Sequence, residues 1–168
     1  YLQSGTRIGP VVYSILNSPW FNDPAVHHAR FSWPAEFVVR AIKEVGWQNF
    51  SLDKARAPLA NMGQALYEPP NVGGWRGHES WIATSTSWGR ASWAGHVRWA
   101  ARDRGVFGGF GDLTPAEATT RALALFGIDS PIPATRQALE EYVAGEQAAG
   151  RRWAIQPNLV TLLMLTPD

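Results

Sequence analysis

The sequence predicts an all-α fold: a single irregular helical domain over residues 1–168, of about six or seven helices with a long Pro/Gly/Trp-rich loop between them. Three observations predict it. Apolar residues recur at spacings of three and four along most of the chain, helix-start and helix-stop residues bracket those stretches, and no strand-like alternation of any length competes. No internal repeat is present.

The elements follow in chain order. From Pro10 to Asn17, Val11, Val12, Ile15 and Leu16 lie at helical spacing, and Ser18-Pro19 ends the run because a residue before proline is pushed out of the α region. A short helix with one buried face is expected. A second begins near Ser32-Trp33-Pro34, carries Phe37, Val38, Ala41, Ile42 and Val45, and stops at Gly46. From Ser51, Leu52, Ala55, Leu59, Met62 and Leu66 keep the period with Pro58 inside, where proline costs ~3 kcal/mol; a kink or two short helices should result. Ser80 to about Arg102 reads as a long helix, weakened at Thr84 to Ser87, with Trp81, Trp88, Gly95 and Trp99 on one stripe and Trp93 and Val97 beside it. "GVFGGFGDL" reads as a connector. Thr114-Pro115-Ala116-Glu117 is a capping box opening a helix that ends at Gly127. Pro131 and Pro133 introduce another through Leu139, Tyr142 and Val143, and Pro157 opens a last one through Leu159, Val160, Leu162 and Leu163.

Composition narrows the function classes. Charged residues make up 17% against a usual quarter, and nine Trp raise the aromatic content. Such a surface is expected to be covered by a partner chain, a ligand or a further part of the same protein. The net charge of +1, with scattered Lys and Arg, argues against nucleic acid. With no cysteine, disulfides, thiolate metal sites and a cysteine nucleophile are excluded. The run "NLVTLLMLTP" falls well short of the ~20 residues a membrane span needs. The opening "YLQSGTRIGP" has neither an initiator Met nor a signal segment, and reads as part of a longer or processed protein.

Catalytic motifs are few. There is no Gly-x-Ser-x-Gly elbow; His27, His28, His78 and His96 contain no helical His-x-x-x-His pair, so neither a metal nor a cofactor is expected. The glycines of "GVFGGFG" precede no Gly-Lys-Ser/Thr. What stands out is "YEPPNVGGWRGHESW", Tyr67 to Trp81, and the ligand-binding candidates are Glu68, Trp75, Arg76, His78, Glu79, Trp81 and Arg90. Glu68 and Glu79 have the chemistry of an acid–base pair, or else Glu79 favours the following helix start and an arginine pairs with Glu68. Trp81, Trp88 and Trp99 read as core in preference to a sugar platform. Trp75, in a Gly-rich turn, either locks the loop onto the helices or flanks a pocket.

At "MGQALYEPPNVGGWRGHESWIATSTSWGR" the chain resembles the bacterial family called domain of unknown function 1800. The match runs through Met62, Gly63, Gln64, Leu66, Tyr67, Pro69, Pro70, Asn71, Val72, Gly74, Trp75, Gly77, Trp81 and Ile82, supported by "ILNSPWF", "RFSWPAEFVVRAIKEVG" and "LVTLLMLTPD". Trp33 departs from the family's small residue before proline. The resemblance is to the C-terminal part of longer members and implies no catalytic residues. It implies an exported protein, periplasmic or extracellular. The expected function is therefore a helical binding module, whose partner is a glycan, a peptide, a protein or the N-terminal half of the same protein. Two alternatives stand beside it: a hydrolase acting on a glycan or other polymer with Glu68 and Glu79 as acid and base, and a fragment inactive without its N-terminal half.

Overall fold

Local signals set most helix boundaries in the computed structural model, which describes residues 2–26, 30–102 and 108–166. The seven α-helices among them are α1 (Ile8–Leu16), α2 (Pro34–Glu44), α3 (Asp53–Asn61), α4 (Thr84–Arg102), α5 (Pro115–Leu125), α6 (Pro133–Ala148) and α7 (Arg152–Leu165), with short 3-10 turns between and no strand among the described residues. Proline is the first residue of α2, α5 and α6, where its missing N–H forfeits nothing. At α5 the capping box forms as expected: Glu117 N donates to Thr114 Oγ1 at 3.3 Å and Thr114 N to Glu117 Oε2 at 2.9 Å. Hydrogen bonds from the Thr114 hydroxyl and N–H hold the Glu117 carboxyl below its ordinary pKa. Gly127, at φ 64°, takes the left-handed turn that ends α5.

The chain divides into two compact units, Tyr1–Phe31 and Ser32–Asp168. In the first, α1 is followed by two 3-10 turns, Pro19–Asn22 and Pro24–Val26, and the Trp20 and Phe21 rings meet edge to face at 6.3 Å. The buried face expected of α1 is not found: the helix has no buried residue, and Val12, Ile15 and Leu16 are exposed. A unit this short has no second layer of its own to bury an apolar stripe against.

The second unit holds the core. Helices α4 and α7 pack together along their lengths, α5 and α6 pair beside α7, and α2 and α3 lie on α4. Val38, Val45, Met62, Trp93, Val97, Phe110, Leu123, Val143, Ile155 and Leu159 fill the space between them. Pro58 sits inside α3, which continues as one helix to Asn61. Pro157 does not open α7 either. The helix starts at Arg152 and carries the proline within it, with Ala154, Ile155, Pro157, Leu159 and Val160 all buried. Burial of that face offsets the backbone hydrogen bond that proline removes. The glycine-rich connector lies partly outside the described residues, but its end is anchored: Phe110 is buried, and a Cβ on Gly111 would stand 3.1 Å from Arg152 Cβ.

Candidate functional site

The motif loop has a buried stem and an exposed tip. Its incoming strand of chain leaves α3 through Met62, which is fully buried, and Gly63, at φ 90°, where an added Cβ would stand 3.4 Å from the Trp81 ring. Gln64, an almost fully buried polar residue, joins two helices. Its N–H donates to Leu59 O at the end of α3 (2.8 Å), while its Oε1 accepts from Ala35 N in the first turn of α2 (2.9 Å). Such an amide satisfies helix-end groups that would otherwise be buried without partners.

The outgoing arm returns through a 3-10 turn, His78–Trp81. Trp81 is 3% exposed and packs on the Trp33 ring at 6.0 Å with a 45° tilt. The expected start of α4 at Ser80 moves to Thr84, because Thr86 caps it: Ala83 N donates to Thr86 Oγ1 at 2.9 Å. One turn on, Gly89 brings α4 against α3. A Cβ there would stand 3.0 Å from Met62 Cγ and 3.1 Å from the Asn61 carbonyl oxygen.

Between these arms the chain faces solvent. Tyr67 has φ 65°, a left-handed value uncommon outside glycine, and its side chain is 95% exposed. Pro69, Pro70 and Asn71 are exposed and Val72 is fully so. Asn71 builds the turn by accepting from Gly73 N on its Oδ1 at 2.8 Å and from Gly74 N on its carbonyl at 3.0 Å, with Gly74 at φ 82°. Farther on, the Ser80 hydroxyl lies within hydrogen-bonding distance of the Arg76 and Gly77 carbonyls, at 2.9 and 2.8 Å.

The candidate residues therefore separate. Glu68, Arg76 and Glu79 are exposed, Trp75 is half-buried, Trp81 is buried, and His78 contributes the first residue of the 3-10 turn. An ion pair between Glu68 and an arginine is not found among the described residues. Arg90 instead turns toward α2: its Nη2 donates to Ser32 O at 2.6 Å and its guanidinium lies 4.8 Å from the centre of the Phe37 ring. Burial lowers its pKa. Among the described residues no three His, Asp or Glu side chains are grouped to hold a metal ion, and no helix is long and apolar enough to cross a membrane. His27 and His28 lie outside the described residues.

The tryptophan stripe of α4 needs correction. Trp88 and Trp99 are 74% and 49% exposed, whereas Trp93 is buried, stacked on Trp47 at 6.2 Å and edge-on to Phe50 at 5.9 Å. Two apolar stripes compete on this helix, and α4 turns the Trp93–Val97 one inward. Gln64, Gly89 and Thr86 were not singled out as organisers. A polar residue one position past a helix-ending glycine was a usable signal for the first, and the Thr three positions after Ala83 for the last.

No curated protein and no solved structure matches the chain. A family model matches residues 1–168, the whole of the sequence, and the chain belongs to that family, described as "Protein of unknown function (DUF1800)".

Proposed function

We propose that this chain is a non-catalytic interaction module whose reading element is the tip of the motif loop, residues 66–74, and whose partner is a protein surface with an apolar groove. One observation carries the reading: the stem is built into the core at Met62, Gln64 and Trp81, while the tip presents Leu66, Tyr67 and Val72 to solvent. Large apolar groups held out on a braced turn lose little conformational freedom on docking, and the Pro69-Pro70 pair lowers that loss further. The left-handed backbone at Tyr67 is a local cost of the kind that clusters at binding sites. The low charge content of the chain supports the same role. Glu68 and Glu79 both stand in solvent, which favours recognition over acid–base chemistry for them. By the family resemblance, the module works outside the bacterial cytoplasm.

The test is site-specific photo-crosslinking from the tip in the full-length protein expressed in its own host. A benzophenone amino acid at position 72 should give one discrete adduct, and the same group at Gln137, an exposed position on α6, should not. Identical products from both positions, or none from position 72, would overturn the proposal.

A further inference from the structure

We propose that this protein forms a two-fold dimer through its first unit, Tyr1–Phe31, with α1 of one copy packed antiparallel on α1 of the other. A helix of 9 residues is marginal by itself in water, where about 12–15 are needed, so α1 requires a surface to pack on. None of its residues is buried within the chain. Ile8, Val12, Ile15 and Leu16 recur at the spacing of one helix face and are 41–69% exposed. Tyr13, Trp20 and Phe21 widen that face, at 70, 62 and 43% exposure. Between α1 and Trp20 lies a groove of about 350 Å³, lined also by Pro10, Val11 and Ile15, which offers a seat to a side chain of the facing copy. The size of the face fits one dimer. At ~100 Å² for an aliphatic and ~200 Å² for an aromatic side chain, the exposed parts of these seven side chains come to roughly 550 Å². A homodimer interface of ~800 Å² per copy that is ~65% apolar needs about 520 Å².

Charge selects a second copy as the occupant. From Ile8 to Asn22 there is no Asp, Glu, Lys, Arg or His, although charged residues make up 17% of the chain. Near a two-fold axis each group meets its own counterpart, so a self-facing surface must be neutral there, whereas a different partner is commonly matched by charge. The charges stand at the ends. Arg7 is the N-cap residue of α1, and the bond from Asn22 Nδ2 to Leu16 O at 3.1 Å folds Asp23 back to the C-terminal end of the helix. Each charge lies at the end that its own helix dipole disfavours. Antiparallel packing centred on Val12, the middle residue of α1, sets Arg7 of each copy at the Asp23 end of the other. Opposite charges then meet on both sides of a neutral centre. The face is separate in sequence from the loop tip, and the dimer stands independently of the role given to that tip.

Sedimentation velocity of the full-length protein over a hundredfold range of concentration tests the proposal. One monomer–dimer equilibrium is expected, and Val12→Lys should weaken it at least tenfold, while Val39→Lys, the same change at an exposed valine of α2, should leave it intact. These 168 residues contain no cysteine, so Val12→Cys under mild oxidation should give a disulfide-linked dimer that neither the wild type nor Val39→Cys gives. Direction is read by charge reversal: Arg7→Asp should weaken the dimer, and adding Asp23→Arg should restore it. A monomer at every concentration would overturn the proposal and leave the face to another part of the same protein or to a different partner. Open-ended oligomers, a dimer indifferent to Val12→Lys, or no cross-link from Val12→Cys would overturn it equally. In a parallel arm the protein is mixed with phosphatidylcholine–phosphatidylglycerol vesicles. Monomer that floats with them would assign the face to a lipid surface instead.

Discussion

Stem and tip belong to one loop, yet Gln64 and Trp81 are 5% and 3% exposed while Tyr67 is 95% exposed and Val72 wholly so. The difference does not follow residue type: a polar amide is inside, and an aromatic ring and a branched aliphatic side chain are outside. What separates them is a set of partners. Gln64 has two helix ends to satisfy and Trp81 has the Trp33 ring and the Gly63 backbone, whereas the tip is braced from within the loop, by the Asn71 turn and by the hydrogen bond from Glu68 N to Ala65 O. Rigidity at the base and unpartnered surface at the apex are the requirements of a presented binding element.

Three substitutions can break or sharpen that contrast. Trp81→Ala should have the largest effect, because truncating a buried aromatic costs ~3–5 kcal/mol, a large part of a domain's ~5–15 kcal/mol margin. Urea unfolding should show the midpoint collapse; a shift of under 1 kcal/mol would mean that the stem is not anchored there. Gly89→Ala comes next. Its new methyl would stand 3.0 Å from Met62 Cγ and 3.1 Å from the Asn61 carbonyl oxygen, so overpacking of ~1–3 kcal/mol is expected to outweigh the ~1 kcal/mol that alanine gains over glycine inside a helix, and differential scanning calorimetry should record a lower Tm. An unchanged Tm would show that Met62 and the end of α3 shift enough to admit the methyl. Smallest is Trp75→Ala, at the junction of stem and tip. A half-buried ring gains roughly half the ~1.5–3 kcal/mol of full side-chain burial, so the loss should be about 1 kcal/mol. A loss as large as that of Trp81→Ala would move Trp75 into the stem, and no loss at all would move it into the tip.

Much of the fold was legible from local sequence. The Thr114–Glu117 box and the prolines at 34, 115 and 133 act through hydrogen bonds and clashes within four residues of themselves, so their meaning survives without a tertiary structure. The candidate site was legible as a location and less so in its parts. The motif loop was singled out, but the expected pairing of Glu68 with an arginine is absent among the described residues, and Arg90 faces α2 across 58 residues of sequence.

By itself, then, the sequence determined the helical class, the family, most helix boundaries and the place of the unusual loop. Only the tertiary structure decided which face of α4 is core, that α7 carries Pro157 inside it, that α1 has no buried residue, and which end of the loop is braced. The physical reason is range. Capping and turn chemistry are settled by immediate neighbours, whereas burial is settled by whatever distant element comes to lie alongside. On α4 the sequence placed Trp88 and Trp99 on one stripe with Trp93 and Val97 beside it, and the side that met α3, α7 and the Trp47–Phe50 pair became the core.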